Sequence, residues 1–345
     1  MANKRKAGAW LAAAALSGGA IAAGAAILKK GTSQRANLRG KVALITGGSR
    51  GLGLAIAREF GSRGARLALC ARDEDELQSA RNILAKDHID AEYFVADISK
   101  ESEIGLLIRG VMARFGRVDV LVNNAGHIKV GPAQSFDKSE FAAAMDLMFW
   151  APVNLTFAVL PVMERQGSGH IVNITSIGGR VSVPHLLPYS CAKFAAVGFS
   201  NGLGAELAAK HIHVLTVVPG LMRTGSYLNA KFKGEPKKEF AWFGLLGNLP
   251  GFSVSADYAA RQIAQALERG RRVCTISLPA KLLIALETLA PELNRTVMEL
   301  VNRTLLPGSS AVKRPVSGKA LNPNFGSIFQ AFTALGKFAA QEFNE

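Results

Sequence analysis

The chain has 345 residues, 49% hydrophobic and 19% charged, which excludes a disordered chain and suits one large domain with extensions. Its formal net charge is +15, yet no Lys/Arg block with interleaved aromatics occurs, so no nucleic-acid partner is expected. Three cysteines (Cys70, Cys191, Cys274), odd in number and without close pairing, argue against a disulfide framework and for a reducing compartment.

The positive charge gathers at the start. The first 41 residues carry eight Lys/Arg and no acid, and the first acidic residue is Glu59. Lys4-Arg5-Lys6 precedes an uncharged stretch from Ala7 to Leu28, and Lys29-Lys30 closes it. At about 1.5 Å per residue such a helix reaches about 33 Å, against a hydrocarbon core of about 30 Å. Residues 1–31 therefore read as a basic, apolar segment that anchors the chain in a membrane through residues 7–28. A cleaved signal peptide and a surface-lying arm are the alternatives. Positive charge flanks both ends, so the charge rule leaves orientation open; the expected arrangement places the rest of the chain in the cytoplasm.

Residues 32–38 read as a polar linker, and residues 39–280 as one domain of alternating strands and helices. Lys41–Thr46 is a short apolar run, predicted as a buried strand, that leads into Gly47-Gly48-Ser49-Arg50-Gly51-Leu52-Gly53 and a helix through Phe60. Strand, glycine-rich turn and helix form the context of a dinucleotide site: glycines let the backbone approach a pyrophosphate, and the helix start offers free amides. The next strand, Arg66–Cys70, ends in Ala71-Arg72 where an acid would hold a ribose 2′-hydroxyl. With Arg50 in the turn, two guanidinium groups suit a 2′-phosphate, so NADP(H) is expected over NAD(H). A helix from Glu74, a strand Tyr93–Val95 ending at Asp97, a helix from Glu101 and a strand Val118–Val122 continue the alternation. That rhythm implies a parallel sheet with helices on both faces.

Further along, His170–Thr175 reads as a strand with Ser176 at its carboxyl end, where open α/β sheets place ligands. Past Pro188 the pattern turns helical, so Tyr189 and Lys193, four apart, share one face. A phenol, with pKa about 10, is a poor base near neutrality. The Lys193 ammonium and the helix start are expected to favour the phenolate. Tyr189 could then exchange a proton with an alcohol or carbonyl oxygen that Ser176 also binds. No His/Cys/Asp cluster has metal-ligand spacing, so no metal is expected.

These motifs resemble the short-chain dehydrogenase/reductases over about residues 38–278. The resemblance lies in Thr46-Gly47-x-x-x-Gly51-x-Gly53, Asn123-Asn124-Ala125-Gly126, Ser176 thirteen residues before Tyr189-x-x-x-Lys193, and Pro219-Gly220-Leu-Met-Arg-Thr224. It implies an α/β, Rossmann-type doubly wound parallel sheet and hydride transfer between a nicotinamide and a carbonyl or alcohol. It implies catalytic roles for Ser176, Tyr189 and Lys193. The implied cofactor contacts are Thr46, Gly47, Ser49, Arg50, Gly51, Leu52, Gly53, Arg72, Asp97 (near adenine), Asn124, Ala125, Gly126, Tyr189, Lys193 (on the nicotinamide ribose), Pro219, Gly220 and Thr224. The sequence departs from the family at Met148, where an asparagine that holds a proton-relaying water is usual; Asn154 lies six residues on, facing elsewhere.

Lys231, Lys233, Lys237 and Lys238 precede the apolar run Phe240–Phe252, expected to cover the substrate pocket and to suit a hydrophobic, lipid-like substrate. Residues 281–345 form an extension: an amphipathic helix pair around Pro291, then a loosely ordered stretch past Pro307, then a weak helix over Ser327–Phe343. The expected function is an NADP(H)-dependent oxidoreductase for a hydrophobic ketone or the matching alcohol, in a homo-oligomer. The alternative is an NADP(H)-binding scaffold or sensor with little catalysis.

Overall fold

The computed structural model describes residues 36–308, 310 and 312–345. The membrane-anchor reading of residues 7–28 lies outside the described residues. Seven strands build the central sheet: β1 (Val42–Thr46), β2 (Arg66–Ala71), β3 (Ala91–Val95), β4 (Val120–Asn123), β5 (Gly169–Ile174), β6 (Ile212–Pro219) and β7 (Val273–Ile276). Their spatial order is β7-β6-β5-β4-β1-β2-β3, and every neighbouring pair is parallel. β1 is buried along its whole length. Parallel strands covered on both faces need continuous apolar runs, which is why this one was legible.

Helices α1 (Gly51–Ser62), α2 (Glu74–Lys86), α3 (Glu101–Phe115), α4 (Lys138–Met145), α5 (Ala151–Gln166) and α6 (Leu187–Glu206) follow the strands in turn. Phe60 and Leu54 of α1 and Leu77 of α2 join the core on one face of the sheet. Leu107 of α3, Leu155 of α5 and Leu203 of α6 join the core on the other. The strand order reverses between β1 and β4, so a crevice opens at their carboxyl ends, the usual ligand position of this architecture. β4 starts two residues later than its sequence pattern predicts. The Asp119 carboxylate is drawn into bonds with Lys41 (3.1 Å), the Val42 amide (3.0 Å) and Arg117 instead of continuing the ladder's side-chain alternation.

Beyond β6 lie α7 (Pro236–Asn248), α8 (Ala256–Glu268), α9 (Leu278–Leu289) and α10 (Pro291–Thr304). A small three-stranded sheet joins Lys129–Val130, Lys231–Phe232 and Val316–Ser317 beneath α7. Phe232, Phe240 and Phe243 pack there with Tyr227, and Phe325 and Phe329 stack on Phe240 at 5.1 and 5.4 Å.

The stretch past Pro307 departs from the expectation of loose order. Before Ser327 it adds the strand Val316–Ser317 and a helical turn Gly318–Leu321, while the weak helix expected over Ser327–Phe343 is present as two, Ser327–Phe332 and α11 (Ala334–Glu342). Phe325, Phe329 and Phe343 pack against surfaces that are distant in sequence, while Phe332 and Phe338 stay exposed. Phe343 is 2% exposed in the main core, with the Arg58 guanidinium 5.8 Å from its ring. Burial of this kind orders a segment whose own helix propensity is weak.

Candidate active site

The turn from β1 to α1 is built by glycines for two reasons. Gly47 and Gly51 have φ of +61° and +55°, the left-handed region that side chains resist. A methyl group on Gly53 would overlap the Gly47 carbonyl oxygen, so helix and turn meet only because that position is bare. Arg50 caps α1 without a side-chain hydrogen bond to the helix. Such a glycine cradle at a helix start fits a pyrophosphate.

Thr46 lies behind the cavity wall, 1% exposed. Its hydroxyl donates to the Val122 carbonyl (3.2 Å) and accepts the Asn124 (2.9 Å) and Ala125 (3.2 Å) amides. Asn124 returns its side-chain amide to the Thr46 (2.9 Å) and Gly47 (3.2 Å) carbonyls. The two residues thereby lock the β1 and β4 turns edge to edge, and so shape the floor on which a ligand would rest.

The remaining sequence-predicted residues all line one cavity of about 970 Å³ at the carboxyl ends of the strands. Arg72 stands exposed at its rim without an ion pair or hydrogen bond among the described residues, while Arg50 is held 2.5 Å from Glu76. Ser49 also donates to Glu76 (3.1 Å). Asp97 is held by the Ser99 amide (3.1 Å) and hydroxyl (2.7 Å). Burial works to raise its pKa, but the Ser99 bonds and nearby Arg72 bring the net shift down.

Ser176, Tyr189 and Lys193 converge on the opposite wall. Ser176 follows β5 and caps the short turn Ile177–Gly179 by accepting the Gly178 amide (3.0 Å). It also hydrogen-bonds the Tyr189 hydroxyl. Lys193, 5% exposed, donates to the Ile174 carbonyl (2.9 Å), with its ammonium 5.8 Å from the Tyr189 ring centre. The electrostatics differ from the expected lysine-driven phenolate. Burial pushes the Tyr189 hydroxyl up, opposed by the Ser176 bond. The same burial pulls Lys193 down to about 8. Desolvation disfavours both charged forms, and here it outweighs their mutual effect.

Comparison with known proteins agrees with this geometry. Residues 41–232 match the family described as short chain dehydrogenase. Dehydrogenase/reductase SDR family member 7B of Danio rerio is 33% identical over 77% of this chain and 86% of its own. Among solved structures, a short-chain dehydrogenase from Streptomyces avermitilis is 32% identical, covers 77% of this chain and 98% of that one, and superposes with a TM-score of 0.65. A metagenomic short-chain oxidoreductase solved with NADP is 29% identical over 70% of this chain and 97% of its own, with a TM-score of 0.57.

The chain belongs to the short-chain dehydrogenase/reductase family. It is an oxidoreductase acting on CH–OH groups, built on a fold that binds a nicotinamide dinucleotide.

In this oxidoreductase Met148 lies on a single π-helical turn, Asp146–Trp150, between α4 and α5. It is 1% exposed and packs with Ala144 and Ala192 beneath Tyr189. A void of about 10 Å³ separates it from Lys193 and Asn123, at the lower limit for one water. Asn154 does not line that void.

The lid is α7 with the loop after it. Trp242, Phe243, Leu246 and Phe252 line the cavity, as the apolar run predicted, joined by Leu283 of α9. What holds the lid was not legible. Glu239, fully buried, accepts from Trp242 (2.6 Å) and pairs with His185 (2.7 Å), whose backbone is left-handed at φ +65°.

Three further cavity-lining residues escaped the sequence reading. His127, among Lys129, Arg72 and Lys231, is held down to about 4, chiefly by burial. Glu76 pairs with Arg50, and Glu345 reaches the glycine turn from nearly three hundred residues away. Only the Asn-Ala-Gly motif just before His127 hinted at the first. Among the cysteines, Cys191 is exposed two residues past Tyr189 on α6, while Cys70 and Cys274 are buried and burial pushes the Cys70 thiol up to about 12.

Proposed function

We propose that this enzyme is NADP(H)-dependent and reduces a ketone on a hydrophobic, lipid-like substrate, or oxidises the matching alcohol. The observation that carries the proposal is the meeting of Ser176, Tyr189 and Lys193 with the glycine turn in one cavity whose lid is apolar. Arg72, exposed and without an ion pair or hydrogen bond among the described residues, supports a 2′-phosphate on the adenosine ribose. Gly47, Ser49, Arg50, Gly51, Leu52 and Gly53 would hold the pyrophosphate. Asp97 would sit by the adenine. Asn124, Ala125, Gly126, Pro219, Gly220 and Thr224 would frame the nicotinamide half. When bound, the reduced cofactor supplies the hydride.

The chain's own residues handle the proton. Ser176 is placed to donate to the substrate oxygen as negative charge grows there. The Tyr189 hydroxyl, held protonated by its burial, delivers its proton to that oxygen. Lys193, fixed by the Ile174 carbonyl, stands beside the ring to stabilise the phenolate left behind. A protonated Tyr189 at neutral pH is the correct starting state for reduction, so the raised pKa suits this direction.

The uncharged segment 7–28 supports membrane anchoring. The exposed Leu282, Leu289 and Leu300 of α9 and α10, beside the cavity-lining Leu283, support a lipid-like substrate. The apolar faces of α5 and α6, with Phe157 and Phe194 exposed, support a homo-oligomer. The test is a panel of ketones, steroids, retinoids and long-chain 3-oxo lipids with NADPH and the detergent-solubilised chain. Oxidation of NADPH with at least one apolar ketone is expected; tight NADPH binding with no turnover across the panel would favour a scaffold instead.

A further inference from the structure

Residues Phe343–Glu345 lie in the cradle at the start of α1. The Phe343 carbonyl accepts the Gly51 amide at 2.8 Å. The Asn344 side chain donates to the Ser49 (3.0 Å) and Glu76 (3.1 Å) carbonyls and accepts from the Ser79 hydroxyl (2.9 Å). One Glu345 carboxyl oxygen lies so close over Gly51 that a methyl group there would overlap it. The other accepts from the Asn229 side chain and is 4.0 Å from Arg50 Nε. The Glu345 side chain is 6% exposed.

The first amide of α1 and the Arg50 cation are groups that such a turn offers to an anion. Here one is spent on Phe343 and the other faces the Glu345 carboxyl. We propose that residues 343–345 are an internal ligand of the cradle, which NADP(H) must displace, so that this segment sets the enzyme's affinity for its cofactor. The inference rests on the cofactor reading above.

Two features support displacement over permanent closure. The Phe343 ring is anchored in the core, so α11 can keep its place while a backbone rotation at Phe343 carries its carbonyl and residues 344–345 out of the cradle. The carboxyl and a diphosphate also compete for one seat, and the amide and cation there favour the fully charged diphosphate over a carboxyl that holds its proton. Burial pushes Glu345 up to about 7, with Arg50, Asn229 and Lys319 pulling the other way and Glu76 adding to the rise. The docked segment thus holds a proton that the released one, with the ordinary value of 4.5, gives up. Docking is therefore fully favoured below 4.5 and weakens as pH rises toward 7.

The test compares the full chain with Asn344→Ala/Glu345→Ala and with the milder Glu345→Gln, reading NADPH binding by fluorescence and hydrogen exchange of residues 340–345. If the docked form holds about nine-tenths of the molecules, the double variant binds NADPH about tenfold more tightly. Glu345→Gln, neutral whether docked or released, keeps the segment docked and binds NADPH no more tightly than the unmodified chain, and NADPH speeds exchange at 340–345 in the unmodified chain. An unchanged Kd in the double variant, or unchanged protection of 340–345 with NADPH bound, would overturn the proposal. Failure of every chain to bind NADPH would overturn the cofactor reading alone. Inorganic pyrophosphate then reads the seat: tighter binding to the double variant upholds displacement, and equal binding overturns it.

Discussion

Tyr189, Lys193 and Arg72 each carry a prediction at the residue scale. Tyr189→Phe removes the proton donor but little surface, so turnover should fall about 10²–10⁴-fold while NADPH affinity stays within about threefold. Stopped-flow turnover beside a binding titration checks both halves. Lys193, held down to about 8 by burial, should impose an alkaline limb on reduction. The rate should decline as pH rises through about 8, and Lys193→Arg should push that limb upward. Stability runs the other way: between about 8 and the ordinary 10.5 the unfolded chain holds the proton and the native one does not, so stability rises with pH there. Arg72→Ala should raise the NADPH KM about tenfold or more, the scale of one charge-assisted hydrogen bond, and leave the NADH KM nearly unchanged. Equal effects on both cofactors would place Arg72 outside the 2′-phosphate seat.

Among the elements, the lid and the small sheet beneath it depend on a buried charge cluster. Glu140 accepts from Lys129 (2.9 Å) and Lys233 (2.5 Å), and Lys233 is 2% exposed. Although burial acts to raise Glu140, the two lysine bonds take it down to about 2. A carboxyl so depressed stabilises the fold above its ordinary 4.5, an advantage lost as pH falls toward 2. Glu140→Gln should cost about 3 kcal/mol by leaving Lys233 buried and uncompensated, read as a lowered denaturation midpoint.

The elements also divide by how far the sequence disclosed them. The sheet strands and the catalytic helix were readable because parallel strands and a buried helix face need apolar residues at fixed periods. Tyr189 and Lys193 were placed on one helix face by their spacing of four, while their grouping with Ser176 as catalytic residues came from the family resemblance. The ordered stretch before Ser327 and the seating of the tail were not readable, since Phe325, Phe329 and Phe343 gain their order from surfaces far away in sequence. The Tyr189 shift was also hidden, because burial, which no spacing encodes, outweighs the neighbouring ammonium.

At the scale of the whole molecule, the N-terminal segment and the body make separate predictions. A chain lacking residues 1–31 should leave the membrane pellet on high-speed centrifugation and keep its NADPH binding; if it still sediments with membranes, the exposed leucines of α9 and α10 are the attachment. Cys191 has a practical consequence. It is the one exposed thiol of the chain's three, and it rides on the same helix as the proton donor. A maleimide dye at pH 7 should attach once per separate polypeptide without any engineered substitution, and slower labelling at high protein concentration would report pairing through α6.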